Sequence, residues 1–164
     1  MDAQPHRILI ALLALLTVLI CDAANGFAQT KPDVSAVKPG QAYTITKSAM
    51  GAVTQTEVRV VKAVSAKDIT IQTELHITAA PPMMIPAMTL PLLVPINPAA
   101  KAVGKATLVV SGIQFPCTIY EYEIPGMAGT KTTTWISARW PFTIRLQVEG
   151  PAGLKEELTE ITLR

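Results

Sequence analysis

At 164 residues, with a formal net charge of +2, the chain has the length of one domain and no strong charge bias. Its 14 lysines and arginines are scattered, with no basic run and no interleaved aromatic residues, which argues against nucleic acid as a partner. Hydrophobic residues make up 49% of the chain but aromatic residues only 5%, and much of the hydrophobicity lies near the N-terminus.

The N-terminal segment predicts export. Arg7 forms a short basic start, and residues 8–20 are almost entirely apolar. A helix of this length spans about 20 Å, whereas a membrane span needs roughly 20 residues. We therefore predict a signal peptide over 1–28, cleaved before Gln29, with cleavage after Ala23 as the alternative.

Export would place the protein in the periplasm or outside the cell. Cleavage would leave no stable membrane span, although retention of the apolar run as an anchor is the alternative. Lipidation of Cys21 is disfavoured because the preceding Ile20 is large. Cys117 would be the only cysteine left, so no internal disulfide is expected, and we predict that it acts as a small buried hydrophobic residue.

Residues 29–164 are predicted to form a single all-β domain. The first strands are expected at 43–47 and 53–64, the second with an apolar phase at Val58, Val60 and Val64. A four-residue loop at 65–68, of a length typical of a hairpin, leads to a strand over 69–77. In this strand Ile69, Ile71, Leu75 and Ile77 are expected to face the core. Strands that follow each other without a helical pattern predict an antiparallel meander, forming a curved sheet or an open half-barrel.

Between residues 79 and 98 the periodicity ends. This segment contains six prolines, which disfavour a regular strand or helix, but it is strongly apolar and includes Met83, Met84 and Met88. An apolar loop must cover something, because otherwise it would expose a large apolar patch. We predict either a plug that completes the core or a movable flap over a hydrophobic cavity, in which flexible methionines adapt to a ligand.

The stretch from Thr107 to Val148 is predicted to organise the sheet. It reads as one long apolar strand, a Pro-Gly turn at 125–129, and two shorter strands separated by Trp140-Pro141. In the long strand the apolar phase shifts after Ile119, which predicts a β-bulge there, with burial of both faces as the alternative.

The last two strands close the predicted sheet. Apolar and polar residues alternate regularly over 142–149. This alternation places four residues on a core face: Phe142, Ile144, Leu146 and Val148. Residues 154–163 fit either a strand or a helix, and the meander favours a closing strand.

A resemblance rests on Gly112 and Cys117, followed by Trp135, Ser137 and Pro141 in a W-x-S-x-x-x-P segment, and on Glu-Leu-Thr-Glu at 157–160. Over residues 104–163 the chain resembles small secreted proteins common in planctomycete genomes, which are similar in pattern to half-barrel lipoprotein carriers of the periplasm. The resemblance implies a secreted β-protein and a closing C-terminal strand, and it implies little about activity.

No catalytic or metal-binding constellation stands out. His76 is the only histidine of the predicted mature chain, and no nucleophile signature accompanies it, so we predict that the protein is not an enzyme and carries no cofactor. One histidine and one distant cysteine do not form a zinc site. Binding of Cu(I) by the methionine cluster is a minor alternative, since thioethers select that ion.

Two hypotheses from different classes remain, a ligand-binding module and a structural or interaction protein. In the first, a concave apolar face holds a lipid or another apolar ligand. In the second, the protein is a structural or interaction domain with a self-filled core, whose outer surface meets another envelope protein. The predicted ligand-binding residues are Met83, Met84, Met88, Phe115, Ile119, Trp135, Phe142, Ile144 and Leu146.

Overall fold

The computed structural model describes residues 37–163 except 93, 95, 126, 128, 151 and 152, and the predicted signal peptide lies outside this part of the chain. The described residues form nine strands and no helix. In chain order the strands are β1 (Gln41–Ala49), β2 (Ala52–Val64), β3 (Asp68–Ile77), β4 (Met83–Pro91), β5 (Lys101–Val110), β6 (Ile113–Glu123), β7 (Lys131–Ser137), β8 (Thr143–Glu149) and β9 (Leu154–Leu163).

All nine strands belong to one antiparallel sheet in the order β4-β3-β2-β1-β9-β8-β7-β6-β5. Two meanders meet where β1 pairs with β9, and β4 and β5 form the two edges. The all-β, antiparallel meander predicted from the sequence is therefore confirmed, and the closing strand over 154–163 is present.

The sheet bends because several strand pairs shift register. One shift lies between Val61 and Ala63 in β2, and others interrupt the pairing of β1, β4, β5 and β7. Each extra residue increases local twist. The bend brings the turn between β5 and β6 against β9, where the backbone N–H of Ile161 donates to the Ser111 hydroxyl at 2.9 Å.

Aromatic side chains fill the core on one face. Trp140 and Tyr43 are almost completely buried, with ring centroids 5.4 Å apart in an edge-to-face arrangement. Phe115 packs edge-on against Trp140, and Phe142 stacks on Tyr43 at 5.1 Å. Such pairs each add about 0.5–1.5 kcal/mol beyond the area that they bury.

The proline-rich segment from 79 to 98 is not one irregular loop. Residues 83–91 form β4, which pairs with β3 along its length. Proline is tolerated because β4 is an edge strand, whose outer N–H groups have no ladder partner to lose, and because Pro86 lies where the register shifts. The part after β4 packs inward, since Leu92 and Val94 are buried, as a plug would be.

The predicted long strand after Thr107 is divided by a hairpin. Ser111 and Gly112 both have positive φ, at 49° and 78°, which is the two-residue turn that matches the twist of antiparallel strands. The predicted bulge after Ile119 does not lie in β6. Its extra residue is Val103 in β5, because Ala102 pairs with Tyr120 and Gly104 pairs with Ile119.

Candidate interaction edge

The nine residues predicted to bind an apolar ligand do not share one face. Trp135 pairs with Arg145 and the preceding Thr134 pairs with Leu146, so Trp135 and Leu146 project to opposite faces. Of the others, Phe115 and Ile144 are buried in the core, while Ile119 and Phe142 are half-buried.

The three methionines lie on the exposed edge strand β4. Met83 and Met84 are neighbours in the strand and therefore project to opposite faces, and all three side chains, including Met88, are about half exposed. This arrangement does not gather three thioethers around one point, as a Cu(I) site would require.

A charged cluster occupies the face that carries Tyr43. The Glu57 side chain is only 8% exposed and contacts Lys47 Nζ at 2.6 Å and Arg59 at 2.5 Å, and it also accepts a hydrogen bond from Gln55 Nε2. Burial alone would raise the pKa of Glu57, but the positive charges of Arg59 and Lys47 outweigh it and hold the pKa below its usual value. Polar side chains therefore interrupt the predicted apolar face.

Aromatic contacts tie this cluster to the core. The Arg59 guanidinium carbon lies 6.0 Å from the centroid of the Phe142 ring, within the range of cation–π attraction. Burial raises the pKa of the Tyr43 hydroxyl, against the opposing charge of Arg59. Of the predicted apolar phase, Val58 and Val60 are half-buried, and Glu57 on the alternate phase packs inward. Val64, which follows the register shift between Val61 and Ala63, packs against the core.

A shallow groove of about 270 Å³ lies between the end of β5 and the β8–β9 pair. Arg145 and Glu157 form an ion pair on its wall, and the Arg145 guanidinium carbon lies 5.4 Å from the centroid of the Trp135 ring. Glu157 also contacts Lys155 Nζ at 2.6 Å. The groove is smaller than typical ligand pockets of about 300–1,000 Å³, and its wall is charged.

The two edges of the sheet differ in how they are protected. Edge strand β4 contains Pro86 and Pro91 and follows Pro81-Pro82, and proline offers no N–H to an added strand. Edge strand β5 is ten residues long and contains no proline. It exposes Val103 and Val109, and among the described residues no strand pairs with its outer side, although its last residues, 108–110, face β8 and β9 across the groove.

Two basic residues mark the β5 edge. Lys101 and Lys105 are exposed, and within the described part of the chain neither makes an ion pair. Lys101 pairs in register with Glu121, but the Glu121 carboxylate is bound by Lys131 Nζ at 3.2 Å. The edge thus combines unpaired backbone groups, exposed valines and free positive charge.

The sequence pattern predicts one long strand where β5 and β6 lie, and therefore no edge at β5. The Ser-Gly pair at 111–112, between the apolar residues Val110 and Ile113, is a turn signal that could have separated the strands. Which strand lies at an edge depends on the pairing of β1 with β9, which no local pattern encodes.

Reactive groups are few in the described residues. Cys117 is buried and donates its thiol hydrogen to the Phe115 carbonyl at 3.2 Å, and burial raises its pKa, so it is a poor nucleophile. His76 Nε2 contacts Glu74 at 3.2 Å on the half-exposed surface. No group of three or more histidine, cysteine, aspartate or glutamate side chains in the described part is arranged to hold a metal ion.

Comparison with known proteins gives little further guidance. No family pattern and no curated protein matches the chain. A solved structure of a hypothetical protein from Chlamydia trachomatis is similar over 77% of this chain and 88% of that chain, at 9% identity and a TM-score of 0.44. None of the described residues forms a helix long and apolar enough to cross a membrane.

Proposed function

We propose that this protein is a non-enzymatic interaction module that receives an extended, acidic segment of a partner protein along β5. Strand addition to a free edge is a common mode of peptide recognition, in which main-chain hydrogen bonds supply affinity and side chains supply specificity. The observation that carries the proposal is the proline-free β5 edge with its exposed valines.

The charge of the edge supports the choice of partner. Lysines on an edge strand discourage pairing with a second copy of the same chain, because like charges would meet across the new interface. A segment with carboxylates near Lys101 and Lys105 would instead neutralise two basic residues that have no ion-pair partner among the described residues. Acidic character is therefore expected in the partner.

Binding of an apolar ligand on a concave face, the first hypothesis from the sequence, remains a prediction. Two features weigh against it as the main function. The core side chains Trp140 and Tyr43 fill the interior, and the charged cluster around Glu57 would have to be desolvated by a lipid.

The proposal is tested with a synthetic ten-residue peptide of alternating threonine and valine with glutamate near each end. We expect saturable binding, weakened about tenfold by Val109→Asp, which places a carboxylate on the edge and removes an exposed apolar contact. The matched control is Met88→Asp on β4, which should bind the peptide as the unmodified protein does. Equal effects of the two substitutions, or no binding at all, would contradict strand addition at β5.

A further inference from the structure

Four turns lie along one rim of the sheet and carry no charged residue. They connect β1 to β2, β3 to β4, β6 to β7 and β8 to β9, and the alternating strand directions place all four at the same end. We define the uncharged rim as the described residues within 48–54, 77–84, 124–130 and 150–154, which leaves out 126, 128, 151 and 152.

Contacts between successive turns show that the rim is continuous. The Thr78 hydroxyl donates to the Val53 carbonyl at 3.2 Å, joining the first two turns. A Cβ placed on Gly153 would lie 3.9 Å from the backbone nitrogen of Met50, and one on Gly150 would lie 3.5 Å from the Thr130 hydroxyl oxygen. The β1–β2, β8–β9 and β6–β7 turns are therefore neighbours.

Large apolar side chains project from three of the four turns. The Met50 side chain is 78% exposed, and the Met84 side chain is 57% exposed. Met50 has a positive backbone φ of 50° and lies at the tip of the β1–β2 turn. The exposed large hydrophobic residues of the rim are Met50, Val53, Met83, Met84 and Met127.

The opposite end of the sheet has a different composition. Its connections expose Lys38, Lys67, Asp68 and Arg139. At that end Trp140 and Leu92 pack into the core, and the exposed positions include charged residues, whereas the rim has none. Turns are usually polar, and a run of apolar turns marks a surface that contacts something apolar.

We propose that the uncharged rim docks on the surface of a lipid bilayer, with its methionine side chains inserted at the boundary between headgroups and acyl chains. A row of projecting turn tips suits a flat surface, whereas a protein groove would accept one tip or one strand. A charged side chain pushed among the acyl chains would lose its water, whereas an interface with another protein would tolerate charged residues at its margin.

The backbone of the rim also suits a weakly hydrated environment. Pro81, Pro82 and Pro125 have no N–H group, so fewer donors lose water when the turns approach the bilayer. The turn tips remain at headgroup level, where water and headgroup oxygens satisfy the remaining polar groups. Methionine is flexible and adapts to a fluid surface.

The charges just behind the rim are of both signs. Lys47 contacts Glu57 and Glu156, and Lys131 lies 3.7 Å from Glu149. Attraction to anionic lipid is therefore not the main source of binding, and vesicles of zwitterionic phosphatidylcholine should suffice. Binding to vesicles without anionic lipid therefore distinguishes apolar docking from electrostatic adsorption.

The test is co-sedimentation with phosphatidylcholine vesicles, with and without anionic phosphatidylglycerol. A chain that begins at Gln29 contains every described residue and therefore the whole core, and it excludes the apolar run at 8–20 that would bind lipid by itself. The test variant is Met50→Asp with Met84→Asp, two exposed positions. The matched control is Ile113→Asp, which is exposed at the opposite end of the sheet.

We expect the unmodified protein and Ile113→Asp to partition onto both kinds of vesicle, and the double variant to lose about tenfold or more in partitioning. Circular dichroism should show the same sheet content in all three. The proposal is overturned if the unmodified protein stays in solution with phosphatidylcholine, if the double variant with an intact sheet binds equally well, or if binding requires anionic lipid and vanishes at high salt.

Discussion

Basic side chains occupy two contrasting environments on this sheet. Lys47 and Arg59 lie on the inner face within 2.6 Å of the Glu57 carboxylate, in a cluster that is complete by itself. On edge strand β5, Lys101 and Lys105 are exposed, and no ion pair holds them in the described part of the chain. The charges of the inner cluster are therefore paired within the fold, whereas those on β5 are available to a partner. Substitutions in the inner cluster should change the free energy of unfolding, and substitutions on β5 should change the affinity for the peptide.

The largest effect is expected at the centre of the inner cluster. Glu57→Ala should lower the free energy of unfolding by about 3–5 kcal/mol, because it leaves two positive charges partly buried without their carboxylate. Urea denaturation measures this change. The control is Glu74→Ala, whose side chain is 40% exposed and whose ion-pair partner among the described residues is His76; it should change stability by less than about 1 kcal/mol. Similar losses of stability in the two variants would contradict a larger contribution from the buried Glu57 cluster than from the exposed Glu74–His76 pair.

The same carboxylate predicts a dependence of stability on pH. The pKa of Glu57 is lower in the folded protein than its usual value of 4.5, so its contribution is complete above that pH and is lost as the pH falls through the folded pKa. Stability should therefore decline on acidification below about pH 4.5. Glu57→Gln should flatten part of this decline, and the remainder should reflect Glu157, whose pKa is also lowered. An unchanged pH profile in the variant would mean that other groups control it.

A smaller effect is expected on the open edge. Lys105→Glu should weaken binding of the acidic peptide about threefold to fivefold, because a cross-strand charge pair contributes roughly 0.2–1 kcal/mol. Unfolding should be unaffected, since the side chain is exposed and makes no ion pair with the described residues. A peptide with lysine in place of glutamate should restore binding to the variant. Failure of this charge exchange would remove the electrostatic basis for an acidic partner.

Much of the fold was predictable from alternation alone. In β8 the pattern from Ile144 to Val148 is regular, and both residues are buried. Prediction failed in β4, where prolines suggested a loop although an edge strand accommodates them, and at Ser111-Gly112, where a short hairpin was read as continuous strand. In β2 the pattern groups Val58, Val60 and Val64 in one phase, whereas the register shift between Val61 and Ala63 separates Val64 from the other two and Glu57 packs inward.

The candidate site was not predictable in the same way. A strand is an edge strand when no other strand pairs with its outer side. Because β1 pairs with β9, β5 becomes the first and outermost strand of the second meander. The residues chosen from the sequence, such as Trp135 and Leu146, were selected for apolarity, and they project from opposite faces of the sheet. Apolarity identifies core positions well and open edges poorly.

The most direct test of the account is amide hydrogen exchange along the two edge strands, measured with and without the acidic peptide. In the free protein, the outward N–H groups of β5 should exchange rapidly. On addition of peptide, these alternate amides should become protected while the β4 amides, interrupted by Pro86 and Pro91, stay unchanged. Protection of β4, or of neither edge at saturating peptide, would contradict strand addition at β5.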